Sequence, residues 1–172
     1  FAKAPGSANG PCDEVVYPEL VEQLDYEVEL GVVVGKTAKK VRAADAARHI
    51  AGYCTFHDVS ARCAQSGDKQ WFRAKSFDTF APFGPALVTS DEVPDPHKLR
   101  LWCKVNGQTR QDSNTSRMVH NVFQIIEYIT RGLTLQPGDV IVACDGHPIE
   151  GAEEKAVAHF NRLEASQLPD HD

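Results

Sequence analysis

Three acids alternate within residues 24–36, LDYEVELGVVVGK: Asp25, Glu27 and Glu29. Side chains in an extended strand alternate with a period of two, so these carboxylates leave one face and Tyr26, Val28 and Leu30 the other. Neighbours in such a row stand roughly 7 Å apart, close enough to repel unless a positive group sits among them. For a lone Glu-x-Glu the ordinary explanation is a solvated strand face. Here the acids run straight into Gly31-Val32-Val33-Val34-Gly35, apolar without alternation, as in a strand buried on both faces. An acidic face continuous with the core is expected to hold a cation.

Glu27 and Glu29 offer hard oxygen ligands, and Asp58, at the end of TFHDVS, is a natural third. Carboxylates with open positions for water and substrate suit Mg²⁺ or Mn²⁺, with Ca²⁺ as a further candidate, better than zinc. His57 is adjacent but points to the opposite face of an extended strand, which favours a structural role. Arg62 and Gln65 follow shortly after, and QWFRAKSFDTF adds Lys75. An Arg, a Gln and a Lys beside an anionic metal site suit a substrate with carboxylate and keto oxygens. Arginine grips a carboxylate with two hydrogen bonds, and lysine neutralises charge developing on an enolate. Composition alone favours Arg62 and Lys75 as ordinary surface cations.

The elements that must position these groups read as a β-rich α+β domain with few helices. Residues 1–20 read as loop with a short extended piece, DEVVYP. RAADAARHIAG reads as a short helix ended by Gly52, and YCTFHDVS as a strand. Residues 61–89 read as irregular, with Gly84-Pro85 ahead of a short apolar strand. LRLWCKVNGQTRQDS is a hairpin: Asn106-Gly107 suits a type I′ turn, and Leu99, Leu101, Cys103 and Val105 alternate. SRMVHNVFQIIEYITRG reads as an amphipathic core helix with Val119, Val122, Phe123, Ile126 and Ile129 on one stripe, ended by Gly132. QDSNTSRM at its start suits capping. Pro137-Gly138-Asp139 turns into the strand VIVA.

The 172 residues suffice for one domain with a sizeable core. A net charge of −6 and a pI of about 5.6 point away from nucleic acid and anionic membranes as partners. No apolar run approaches the roughly 20 residues of a membrane span. Five widely spaced cysteines without a Cys-x-x-Cys suit a reducing compartment and argue against a disulfide framework or zinc knuckle. The chain starts at Phe1 without a methionine or signal-like segment, so an upstream piece is expected to have been lost, processed or left out.

Taken together, DYEVELGVVVGK, AGYCTFHDVSAR, KQWFRAKSFDTFAPFGPALVT, DPHKLRLWCKVNG, RQDSNTSRMV and LQPGDVI resemble the fumarylacetoacetate hydrolase family. The likeness is strongest to its smaller members acting on acylpyruvates, oxaloacetate and related 2-oxo or enol dicarboxylates, and runs from about Phe1 to Val142. It implies a mixed β-roll, a homodimer, and Mg²⁺ or Mn²⁺ held by Glu27, Glu29 and Asp58. It implies a substrate site lined by Arg62, Gln65 and Lys75, with Lys3 near the pocket mouth and Asn114 and Thr115 as further substrate contacts. The activity implied is C–C bond hydrolysis, decarboxylation or keto–enol isomerisation through a metal-stabilised enolate, in the cytoplasm or the mitochondrial matrix.

Three departures stand beside the resemblance. The family carries an upstream N-Y-x-x-H stretch, whose His and nearby Glu act as an acid/base pair on a lid, and no residue here matches it. Cys63 stands where Ser-Ala-Arg is usually followed by Asp, which puts the geometry of that loop in question. After Val142 the family's Thr-Gly-Thr-Pro is replaced by Cys144-Asp145-Gly146-His147-Pro148, whose codons shifted by one base can spell Ala-Thr-Gly-Thr. Residues 143–172 are therefore set apart from a domain at 1–142, as a tail either out of frame or helical, with Ala156, Phe160 and Leu163 on one helical face. An exposed sheet edge or a covering partner is expected where the roll would close. Two non-catalytic readings stay open: an inactive truncated relative that binds metal without turnover, and a carboxylate-sensing module.

Overall fold

In the computed structural model β4, Ile50–His57, is buried at every residue but Ala51, and it carries the rest of the main sheet. The structure describes residues 1–144 and the short strand Ala158–His159. The strands in chain order are β1 (Ala8–Asn9), β2 (Leu24–Asp25), β3 (Val28–Val34), β4, β5 (Ser60–Ala61), β6 (Ala81–Thr89), β7 (Arg100–Val105), β8 (Gln108–Asn114), β9 (Val140–Ala143) and β10 (Ala158–His159). The α-helices are α1 (Arg62–Asp68), α2 (Trp71–Ala74) and α3 (Val122–Gly132). A five-stranded sheet has the order β1-β6-β4-β3-β9, parallel only between β1 and β6. β10, β7 and β8 form a second sheet, and β2 pairs with β5. This mixed, curled arrangement is the β-rich α+β fold expected from the sequence.

The acidic strand is two strands. β5 pairs with Leu24–Asp25, whereas β4 pairs with Val28–Val34, and the partners diverge at Asp58–Val59. Tyr26 and Glu27 bridge the break. The apolar half behaves as its sequence requires. β3 is paired on both edges, and Leu30, Val32 and Val34 join Ile50, Tyr53, Leu101, Val122, Ile126 and Ile141 in the main core.

Several element assignments change. The short helix expected over residues 42–52 is confined to Ala43–His49 and is of the 3-10 kind. Gly52 lies inside β4, where a Cβ would stand 2.2 Å from the Val88 carbonyl oxygen, so only glycine lets β4 and β6 approach this closely. The stretch 61–89 is ordered as α1, α2 and a nine-residue β6 that spans Gly84–Pro85, whose peptide is cis. Ala64, Ala74 and Phe80 pack there with Val21, Val59 and Ala61 in a second core. DEVVYP contributes no strand. α3 starts only at Val122, where Asn121 and Gln124 form a reciprocal capping box. Val119 therefore lies outside the helix and is 88% exposed rather than part of its apolar stripe. The hairpin matches its sequence, with Asn106 and Gly107 at φ of 50° and 80°, and Leu101, Cys103 and Val105 buried. The tail beyond Cys144, with its frame and helix expectations, lies outside the described residues apart from β10.

Candidate functional site

At the mouth of the β2–β3 break, four short stretches bring seven charged side chains together. Strand alternation sends Glu27 and Glu29 to one side, and Asp58 arrives from the end of β4, its N–H donating to the Glu27 carbonyl at 2.9 Å. One oxygen from each of Glu27, Glu29 and Asp58 lies within 4.8 Å of the others. Glu29 and Asp58 are buried and Glu27 half-buried.

Lys75 enters from the C-terminal cap of α2, whose first residue, Trp71, accepts its backbone N–H at 3.0 Å. Its Nζ donates to Glu27 Oε2 at 2.6 Å, Asp58 Oδ2 at 2.6 Å and Ser60 Oγ at 2.5 Å. An ammonium has three N–H donors, and all three have an acceptor here. Ser60 spends its own hydroxyl proton on the Asp58 carbonyl at 2.9 Å, which turns an oxygen lone pair toward Lys75. Lys3 Nζ bonds the other Asp58 oxygen, and the Phe1 ring centroid lies 5.0 Å from Lys75 Nζ.

Arg62 opens α1 directly after β5. Its guanidinium bonds Asp25 through Nε and Glu27 Oε1 through one terminal nitrogen, and donates to Gln65 Oε1 at 2.7 Å through the other. Arg62 and Gln65 are three residues apart, which places them side by side on the first turn. α1 forms with Cys63 in place, so that substitution does not unravel the loop. Arg62 is also spread across the protein's own acids, whereas the sequence suggested a fork turned toward substrate.

The electrostatics single out Glu29. Burial pushes Glu27 up, but Lys75 and Arg62 outweigh it and hold that carboxyl below its ordinary range. For Glu29, Lys75 and a hydrogen bond with Cys144 pull the same way but do not outweigh the opposing causes. Lys3, Lys75 and Arg62 pair with Asp58, Glu27 and Asp25, and none forms a salt bridge with Glu29. Burial, then the carboxylates of Asp58 and Glu27, push Glu29 up to about 8. A buried carboxyl beside two others, all with hard oxygen donors and with too few fixed cations, is the environment a divalent cation fits. His57 is pulled down to about 3 by burial, with Lys3 and Lys75 adding to it, and stays a neutral, enclosed ring.

Of the residues expected from the sequence, Glu27, Glu29, Asp58, Arg62, Gln65 and Lys75 come together. Asn114 and Thr115 are engaged locally. Asn114 caps the 3-10 turn Thr115–Arg117 by accepting from Ser116 N–H at 2.9 Å. Buried Thr115 donates to the Pro96 carbonyl at 2.7 Å and accepts from Leu99 N–H at 3.0 Å. Sequence reasoning missed Ser60, although its position two residues after Asp58 is the signal that would have found it.

Residues 1–163 match the fumarylacetoacetate (FAA) hydrolase C-terminal family, a span that runs past the expected boundary at 142. Bovine oxaloacetate tautomerase FAHD2A, mitochondrial, is 47% identical over 144 residues, 83% of this chain and 46% of that protein. Human oxaloacetate tautomerase FAHD2B, mitochondrial, is 49% identical over the same shares. The chain thus spans about half the length of the curated relatives it matches. Among solved structures, 5-carboxymethyl-2-hydroxymuconate delta-isomerase from Mycobacterium smegmatis superposes with a TM-score of 0.79 at 42% identity, covering 83% of this chain and 55% of that one. The 2-hydroxyhepta-2,4-diene-1,7-dioate isomerase from Mycobacterium marinum gives the same four values.

Proposed function

Because the chain belongs to the fumarylacetoacetate hydrolase family, we propose that its acidic cluster holds Mg²⁺ or Mn²⁺ through Glu27, Glu29 and Asp58 and serves keto–enol isomerisation of a 2-oxo dicarboxylate such as oxaloacetate. The observation that carries this reading is the convergence of those three carboxylates, with Lys75 bridging two of them. The relatives named above, tautomerases and isomerases of 2-oxo and enol acids, narrow the reaction from the broader set of hydrolysis, decarboxylation and isomerisation.

A divalent cation bound there supplies a Lewis acid beside the substrate's 2-oxo oxygen. The chain's own residues supply charge and grip, and the base that takes the proton is not one of the residues assigned to the site. Lys75 keeps an ammonium over the point where that oxygen gains negative charge as a proton leaves the neighbouring carbon. Ser60 and Asp58 hold Lys75 in place, so the charge is oriented before substrate arrives. Arg62 and Gln65 face the distal end, where Arg62 exchanges one of its bonds to Asp25 or Glu27 for a substrate carboxylate. Burial of Lys75, Asp58 and Ser60 excludes water and strengthens each of these interactions.

The working unit we assign is a homodimer, and of the two compartments expected we assign the mitochondrial matrix, since the names of the bovine and human relatives include the word mitochondrial. No helix of the described residues is long and apolar enough to cross a membrane. The test is enol-to-keto conversion of oxaloacetate followed by ultraviolet absorbance with added Mg²⁺, comparing the protein with Lys75→Met. A Mg²⁺-dependent rate that Lys75→Met abolishes supports the reading. Cation binding with no rate above the variant's is the outcome expected of an inactive relative.

A further inference from the structure

β9 ends at Ala143, opposite Leu30, two residues short of Val28. The Val28 amide cannot use β4 either. Asp58 N–H donates to the Glu27 carbonyl, which makes Val28 and His57 a non-hydrogen-bonded pair and turns the Val28 N–H to the other edge of β3. Val34, of the same parity, meets backbone on that edge and donates to the Asp139 carbonyl at 2.8 Å. Val28 instead donates to a side chain, the amide oxygen of Gln111, at 2.8 Å.

Gln111 belongs to β8 in the other sheet. It lies opposite Cys103, beside the irregularity between Cys103 and Lys104, and such bulges re-aim a side chain. The same hairpin packs Cys103 and Val105 onto Tyr26, with Val28 against the cluster. Tyr26 and Val28 are the residues that alternate with the acids. The hairpin therefore grips the back of the strand whose front carries Glu27 and Glu29, and Gln111 completes its backbone pairing where β9 has stopped.

We infer that Gln111 is a positioning residue: its side-chain oxygen anchors the peptide between Glu27 and Glu29 and so fixes how these two carboxylates meet Asp58. This rests on the reading that the cluster holds a divalent cation. Partners that orient metal ligands without touching the ion typically change its affinity by about 10–100-fold when removed.

The test is calorimetric titration of the full chain with Mn²⁺, together with hydrogen exchange at the Val28 amide. Gln111→Met keeps the bulk and removes the acceptor, Gln111→Ala is a second variant without one, and Gln111→Glu keeps an acceptor oxygen. Thr130→Val, whose lesion lies under α3, is the control for general loosening. Expected are Mn²⁺ binding weakened about ten-fold or more and loss of Val28 protection in Gln111→Met and Gln111→Ala, with both restored in Gln111→Glu and unchanged in Thr130→Val. Wild-type affinity or undiminished Val28 protection in the acceptor-less variants overturns the inference, as does an equal loss in Thr130→Val. If the unaltered protein takes up no Mn²⁺, the metal reading falls, and Val28 exchange alone decides whether Gln111 anchors the strand.

Discussion

The Lys75 ammonium lies 2.6 Å from Asp58 Oδ2, and both side chains are buried. Removing Lys75 leaves Asp58 to Lys3 alone and Glu27 to Arg62 alone, at a cost of up to the about 3–5 kcal/mol of a fully stranded buried charge. Lys75→Met, which keeps much of the volume, is expected to be destabilised by up to that much in urea unfolding. The double variant Lys75→Met with Asp58→Asn should recover part of the loss. A single variant as stable as the parent would show that Asp58 does not depend on this lysine.

Glu29 behaves differently, because no salt bridge to Lys3, Arg62 or Lys75 holds it. Glu29→Gln is expected to weaken Mn²⁺ binding by at least about ten-fold, since the amide supplies a far poorer ligand than a carboxylate. The same change removes a carboxyl that burial disfavours in its charged form, so the melting temperature of the metal-free variant should equal or exceed the parent's. Calorimetry and thermal unfolding check the two halves separately. Undiminished Mn²⁺ affinity would remove Glu29 from the ligand set.

Thr130 is fully buried in α3 and accepts the Val41 N–H at 3.0 Å. Valine has nearly the same shape but no acceptor, so Thr130→Val strands a buried amide. The expected loss is about 1–3 kcal/mol of stability with turnover unaffected, measured by urea unfolding beside the oxaloacetate assay. A stability loss within error of zero would mean that the amide finds another acceptor.

Burial pushes Cys103 up to about 11, and burial with Asp95 nearby pushes Tyr53 up to about 12. Both groups keep a proton in the folded state that the unfolded chain releases at lower pH. Stability is therefore fully present below pH 9 and falls as pH rises above the unfolded thiol's value, at up to about 1.4 kcal/mol per pH unit for Cys103 alone. Thermal melts between pH 8 and 11 should show this decline, and Cys103→Ala should flatten it. In the native state at pH 8, iodoacetamide should label exposed Cys12 and spare Cys103, as read by mass spectrometry.

How far the sequence spoke depended on how local each signal was. Asn106-Gly107 announced its hairpin because the turn's backbone angles belong to those residue types alone. The acids at 25, 27 and 29 announced the site because alternation is a property of any strand. α1 and α2 were illegible because they are short and owe their order to Ala64, Ala74 and Phe80 packing beneath them, with no long apolar stripe. Gly52 read as a helix end, since nothing nearby reveals that β6 passes over it. The break between β2 and β3 was hidden for the same reason: it follows from how β4 and β5 diverge, a fact of the partners and not of residues 24–30. Lys3 against Asp58 and Gln111 against Val28 are separated by 55 and 83 positions, and no spacing rule reaches across such gaps.

The charges that neutralise one another sit at positions 3, 25 to 29, 58 to 62 and 75. As the polypeptide leaves the ribosome, Asp25, Glu27 and Glu29 emerge well before Arg62, and Lys75 comes later still. Every ion pair among them requires closing a long loop, an entropic cost paid before any attraction is gained. Each pair joins residues far apart in the chain, so the acids of residues 25–29 stay solvated until the segments carrying Arg62 and Lys75 have docked beside them.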